Sequence, residues 1–340
     1  MKNTPMPSKK KNNNLIGEVI KLGVDVHADS YVIVAKVDAS SPERARKMSP
    51  QQFLSWVGQV RRNCQRLYCC YEAGPFGFGL HRELLELEVT NYVIRPINWD
   101  EHGKNTKTDK RDATQMVLAL DGYLRGNDRS FSVVRVPSEE EERRRSLSRQ
   151  RQSLMKERNR LAAKGRSHVL YYGGRLKGTW WQPRRWEKLC GVLAPFLMEL
   201  LEPLRAVILA VEEQLEAVIT KLESGPTPAL PKGMGRTNFE QLEREVCDWN
   251  RFRSARQVGG YTGLCPCEDT SGKRRFQGSV TKHGNPRIRH ILVEQTWLLM
   301  QWNPRYRGIL KWQDRLLDPR LTKAAKKKII VAIARTFAVD

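Results

Sequence analysis

The sequence contains no apolar run approaching the roughly 20 residues that a membrane span needs, and this excludes a spanning helix. Its seven cysteines are an odd number. Neither Cys69-Cys70 nor Cys265-Pro266-Cys267 has the two-residue spacing of a metal knuckle, so reduced and mostly structural thiols are expected. Residues 1 to 14 are polar, with Lys9-Lys10-Lys11 ahead of Asn12-Asn13-Asn14, and no apolar h-region follows. Acid is also in short supply. Against 60 Lys and Arg stand 37 Asp and Glu, leaving a formal net charge of +23. That excess points to a polyanionic partner, because phosphate contacts supply most non-specific affinity for nucleic acid. An apolar share of 40% excludes one long basic tail and predicts a real core.

The acids that are present fall in suggestive places. Leu22-Gly23-Val24-Asp25-Val26 and Tyr31-Val32-Ile33-Val34-Ala35 read as adjacent strands of a hairpin, with Asp25 ending the first. Arg66 to Tyr71 has strand character and stops at Glu72, before Ala73-Gly74-Pro75. Asn91 to Pro96 is a third such run, leading through a basic loop to Thr108-Asp109-Lys110-Arg111-Asp112-Ala113. There Asp109 and Asp112 stand three apart at a helix start and can point the same way. A lone Asp after a strand is often a plain turn residue. Four carboxylates at element ends are instead the raw material of a divalent-cation site for phosphoryl transfer. With helices expected at Ser49 to Arg61 and Phe76 to Leu87, residues 18–128 read as an α/β domain behind a basic tail at 1–17.

The period then changes. Ser138 with Glu141 is a capping-box pattern, and Leu147, Leu154 and Leu161 recur every seven residues. Leu197, Leu201, Leu204, Ile208, Val211, Leu215, Val218 and Leu222 alternate steps of four and three, the heptad signature of a coiled coil. Residues 129–225 are therefore expected to form an antiparallel arm or a pairing surface between protomers, with Pro203 kinking the second helix or marking its start. Between the helices, Trp180-Trp181-Gln182-Pro183-Arg184-Arg185-Trp186 can either stack on unpaired bases or anchor a turn.

Ser224-Gly225-Pro226-Thr227-Pro228 marks the next boundary, and residues 226–340 read as a mostly helical third region. Within it come Gly259-Gly260-Tyr261-Thr262-Gly263-Leu264-Cys265-Pro266, Thr270-Ser271-Gly272-Lys273 and Thr281-Lys282-His283-Gly284-Asn285-Pro286-Arg287. Ser271, beside Gly272 and close to Lys273, Arg274 and Arg275, reads as an exposed loop hydroxyl among phosphate-binding charge. Thr270 and Ser279 are its rivals, and a plain turn is the bland reading. Asn285 before Pro286 is a helix cap, so Lys282, His283, Asn285 and Arg287 are expected to gather at a positive helix end as a phosphate clamp.

Gly-Val-Asp, Tyr-Glu-Ala-Gly and Thr-Asp-x-x-Asp-Ala, together with the C-terminal series, resemble the Asp-Glu-Asp-Asp (DEDD) transposases of bacterial insertion sequences, the insertion-sequence-one-ten family. The resemblance implies a RuvC-like first domain with an RNase H fold, followed by the coiled-coil arm and a C-terminal transposase domain. It implies Mg²⁺ held by Asp25, Glu72, Asp109 and Asp112, with Ser271 as the nucleophile of a serine recombinase that forms a phosphoserine-linked DNA end. The partners it implies are donor and target DNA and a structured noncoding bridge RNA. A homo-oligomer, dimer or tetramer, is also expected, located in the bacterial cytoplasm in association with the nucleoid. The competing readings are a RuvC-like metal-dependent nuclease or junction resolvase with no covalent step, and a non-catalytic nucleic-acid-binding protein.

Overall fold

The computed structural model describes residues 15–97, 99, 108–226, 229–271 and 274–340, and for Ser271 and Arg275 the backbone alone. Outside the described residues lie most of the expected basic tail, the end of the basic loop before Thr108, Thr227-Pro228 of the expected boundary, and Lys273. The chain divides into two compact units, Met1–Val136 and Pro137–Asp340.

The first unit runs β1 (Gly17–Val26), β2 (Tyr31–Val37), β3 (Arg46–Met48), α1 (Pro50–Arg62), β4 (Cys64–Glu72), α2 (Gly79–Glu86), β5 (Thr90–Ile94) and α3 (Asp109–Leu124). The strands lie in the order β3-β2-β1-β4-β5. Within that order β1 is antiparallel to β2 and parallel to β4, and β4 is parallel to β5. Side-chain alternation along β1 then sorts its residues between two faces. Ile20, Leu22 and Val24 are buried in one core with Phe53, Trp56, Val57 and Val60 of α1 and with Leu80 and Leu84 of α2. Lys21, Gly23 and Asp25 take the opposite face, where Val32, Val34 and Cys70 pack against Ala113, Met116 and Val117 of α3.

Two contacts fix α3 on that face. At Gly23 a Cβ would strike the Ala113 carbonyl and come within 2.6 Å of the Val117 amide, so only glycine lets the helix backbone settle directly on β1. Further along, Asp121 meets Lys21 at 2.6 Å and Lys36 at 3.5 Å, all three buried. Burial alone would raise the Asp121 carboxyl. The Lys21 hydrogen bond and the charges of Lys21, Lys36 and Arg125 overcome it and hold the group below its usual range.

The second unit runs α4 (Glu139–Tyr171), α5 (Pro183–Cys190), α6 (Pro195–Leu222), α7 (Arg236–Val246), α8 (Ala255–Thr262), β6 (Pro266–Ser271), β7 (Arg274–Val280), α9 (Pro286–Trp302), α10 (Arg307–Leu310), α11 (Gln313–Leu317) and α12 (Lys323–Phe337). Ser138 and Glu141 form the reciprocal capping box at the start of α4. Helices α4 and α6 run antiparallel, Arg158 reaching Glu212 at 3.6 Å while Arg151 senses Glu223. On α6, Leu197, Leu201, Ile208, Leu215, Val218 and Leu222 are buried as the heptads require. The expected seam of Leu147, Leu154 and Leu161 is only half-buried; Ser148, Ala162, Gly165 and Val169 are the buried positions of α4. Small side chains let neighbouring elements approach closely, and the apolar face of α6 is covered from within the chain.

Several expectations in this unit are corrected. Pro203 lies inside α6, which starts earlier at Pro195; Pro203 and Glu199 are both exposed, so solvent can serve the carbonyl left without an amide. Trp180 and Trp181 are buried and unavailable to bases. Trp180 donates from Nε1 to the Ala162 carbonyl at 3.1 Å and lies against Gly165, while the Arg205 guanidinium sits 4.8 Å over the Trp186 ring. The cluster anchors the turn between the long helices. Where a loop was expected around Ser271, β6 and β7 form an antiparallel hairpin. The arm and the C-terminal region also form one unit, because α7 packs on α4 through Arg149 and buried Glu245, 3.0 Å apart.

Candidate functional site

Val24 and Tyr71 are the last paired residues of the parallel strands β1 and β4, and Asp25 and Glu72 follow them on the α3 face. Thr108 is extended, so α3 opens at Asp109 and carries Asp109 and Asp112 in its first turn. Burial raises the Asp25 carboxyl; His27 opposes this, while Asp109 and Asp112 add to it. Glu72 is likewise raised by burial, against hydrogen bonds from Ile97 and Trp99, with Asp112 and Asp25 pushing it further. All four carboxylates found in the sequence share one electrostatic neighbourhood.

Two residues that sequence reasoning did not select complete it. Trp99 donates from Nε1 to Glu72 Oε1 at 2.8 Å, and the Ile97 amide reaches the same oxygen at 3.3 Å. One Glu72 oxygen is thereby committed and the side chain oriented. His27 places Nε2 3.2 Å from Asp25 Oδ2 and 3.4 Å from Asp109 Oδ2. Strand alternation could have found His27, since it stands two residues after Asp25; Trp99 lies in a segment with no pattern to read. Crowded carboxylate oxygens, two of them on groups raised by burial and like charge, are what a hard divalent cation relieves, and the carboxylates by themselves fit Mg²⁺.

In the second unit, Ser271 is the last residue of β6 and pairs with Arg274 across the hairpin. Asn285 caps α9, accepting at Oδ1 from the Arg287 amide at 2.9 Å and the Ile288 amide at 3.4 Å. Its amide nitrogen donates to Glu245 Oε2 at 3.1 Å, and Arg287 Nε donates to Gln152 at 2.8 Å. Two members of the expected phosphate clamp, Asn285 and Arg287, are thus engaged within the protein. Glu245 is 1% exposed, and the buried carboxylate draws Asn285 and Arg149 to itself. Arg274, Lys282 and His283 are exposed.

Residues Gln277 to Val280 of β7 form one wall of a groove of about 930 Å³, whose other lining side chains include Arg256, Lys311, Lys327, Lys328 and Arg335. Arg307 also lines it, paired with Asp340. Phe276, beside this wall, is 63% exposed. Cations around an open groove with an aromatic at its edge suit a nucleic-acid strand.

Carboxylates at the ends of β1 and β4 and in the first turn of α3, beside a basic, helix-rich second unit, are features suited to chemistry at nucleic-acid phosphates, and comparison with known proteins narrows the class. Residues 231–310, which include the Ser271 hairpin and the start of α9, match the model of the IS116/IS110/IS902 transposase family. Over 294 residues the chain is 31% identical to the putative transposase y4rJ of Sinorhizobium fredii, covering 77% of this chain and 73% of that one. It is 22% identical to the transposase for insertion sequence element IS1111A of Coxiella burnetii, covering 86% and 81%, respectively. To the transposase for insertion sequence element IS1533 of Leptospira borgpetersenii it is 25% identical, covering 82% and 84%. The chain belongs to the IS116/IS110/IS902 transposase family. Among the described residues, no helix is long and apolar enough to cross a membrane.

Proposed function

We propose that this chain is a DNA transposase of the DEDD and serine type, cleaving donor and target DNA and rejoining the ends through a phosphoserine intermediate. The observation that carries the reading is the convergence of Asp25, Glu72, Asp109 and Asp112 at one end of a sheet, in a chain of a transposase family. The strand order β3-β2-β1-β4-β5, antiparallel in its first half and parallel in its second, supports a RuvC-like, RNase H-type fold. These carboxylates would hold Mg²⁺, which when bound would supply charge neutralisation and Lewis-acid polarisation at a phosphate.

The Ser271 hydroxyl forms the new O–P bond as the bond from phosphorus to a deoxyribose oxygen breaks. The serine gives up its proton, and the departing oxygen takes one up. In rejoining, a strand hydroxyl attacks the same phosphorus and the serine oxygen leaves. Trp99 holds Glu72 in place, and Arg274, Lys282, His283 and the groove cations bind phosphates along the strand. The resemblance extends the proposal to a bridge RNA that pairs with both DNAs, to an oligomeric assembly, and to work on nucleoid DNA in the bacterial cytoplasm.

The test incubates full-length protein with donor DNA and Mg²⁺. Asp25→Asn is expected to lose strand cleavage while retaining DNA binding, and Ser271→Ala to lose the denaturant-resistant protein–DNA adduct. Metal-dependent cleavage by the unsubstituted protein with no adduct would favour the nuclease or resolvase reading. Cleavage by Asp25→Asn in EDTA would refute the carboxylate site.

A further inference from the structure

We propose that His27 is a direct nitrogen donor to the cation held at the carboxylate cluster, and that the site therefore favours Mn²⁺ over Mg²⁺ relative to an all-oxygen site. The inference rests on reading the carboxylates as a metal site and adds to it a ligand that the four-carboxylate pattern does not contain.

Geometry is the first argument. His27 Nε2 lies 3.2 Å from Asp25 Oδ2 and 3.4 Å from Asp109 Oδ2, and one donor atom from each of the three side chains falls within 4.8 Å of the others. Adjacent ligands of an octahedral ion with bonds of about 2.1 Å stand about 3 Å apart, close to both observed separations.

Hydrogen bonding explains the arrangement less well. A ring nitrogen carries at most one hydrogen, so Nε2 can donate squarely to only one of the two carboxylates. Neither separation closes to the roughly 2.7–2.9 Å of a charge-assisted hydrogen bond. A nitrogen shared almost evenly between two carboxylate oxygens is better placed to share an ion with them.

Local backbone supports the same role. The His27 amide donates to the Ser30 carbonyl at 3.2 Å, closing the turn between β1 and β2 and keeping the imidazole beside the strand end. Glu72, in contrast, has Oε1 committed to Trp99 and Ile97. The three donors with mutual access are Asp25, His27 and Asp109. Carboxylate and water serve both Mg²⁺ and Mn²⁺, but an imidazole nitrogen is the softer donor, and Mn²⁺, the weakest binder of the first-row transition ions, still accepts it more readily than the hard, reluctantly dehydrated Mg²⁺.

The experiment loads full-length protein with Mn²⁺ and records electron spin echo envelope modulation, which detects nitrogen bound to the ion. The unsubstituted protein should show histidine nitrogen modulation. His27→Gln should keep bound Mn²⁺, lose the modulation, and lower the ratio of Mn²⁺ to Mg²⁺ affinity several-fold in titration calorimetry. Bound Mn²⁺ without nitrogen modulation in the unsubstituted protein, with affinity abolished in Asp25→Asn, would overturn the His27 assignment while leaving the carboxylate site intact. Modulation that persists in His27→Gln would assign the nitrogen to another histidine and also overturn it. Absence of Mn²⁺ binding in the unsubstituted protein would remove both readings together.

Discussion

Gly23 shows how one side chain's absence sets the site. It stands two residues before Asp25 on the same face, and a Cβ there would meet the backbone of α3 at Ala113 and Val117. Backbone cannot swing aside as a side chain can, so Gly23→Ala must lift the helix that carries Asp109 and Asp112. Overpacking of this kind costs about 1–3 kcal/mol. The buried Lys21–Asp121–Lys36 network still ties α3 to the sheet, so the variant is expected to fold with a lowered melting temperature and several-fold weaker binding of divalent cation. Melting and Mn²⁺ titration of the same preparation check this. Undiminished affinity would mean that Gly23 does not set the carboxylate geometry.

At the scale of elements, the long helix pair is held by its tryptophans as well as by its heptads. Trp180 is 1% exposed, bonded to the Ala162 carbonyl and set against Gly165, while Trp186 is half-buried under Arg205. Trp180→Ala leaves a large cavity and is expected to destabilise the second unit by about 3–5 kcal/mol, with Trp186→Ala costing clearly less. Denaturant unfolding of both variants measures the difference. If the cluster served to stack bases instead, Trp180→Ala would weaken nucleic-acid binding with little change in stability.

For the molecule as a whole, the net charge of +23 makes salt the sharpest probe of what it binds. Each phosphate neutralised on duplex DNA adds about 0.9 to the slope of log affinity against log salt. A steep slope is expected for the full chain. Replacing Lys311, Lys327 and Lys328 by Glu should lower it by about 0.9 for each phosphate that these lysines neutralise. The same triple substitution leaves the carboxylate cluster untouched. Binding titrations across a salt series give both numbers, and a slope unchanged by the triple substitution would move the strand away from this groove.

The sequence alone determined the positions of the four carboxylates, because short β-branched runs ending in acids and a pair of acids at a helix start are local patterns. It also determined the caps at Ser138 and Asn285 and the heptads of α6, since each depends on spacing within one element. What no local pattern contains is which elements meet. Parallel pairing of β1 with β4 sets Asp25 and Glu72 side by side, and the missing side chain at Gly23 lets α3 bring Asp109 to His27. Tertiary packing turned Trp180 and Trp181 from possible base-stackers into core. The buried Glu245 side chain takes the amide nitrogen of Asn285, a contact between distant elements that the sequence context of the cap does not contain. The Ser271 segment, rich in Gly and charge, reads as a loop until β7 supplies the partner strand whose backbone amides and carbonyls make it a hairpin.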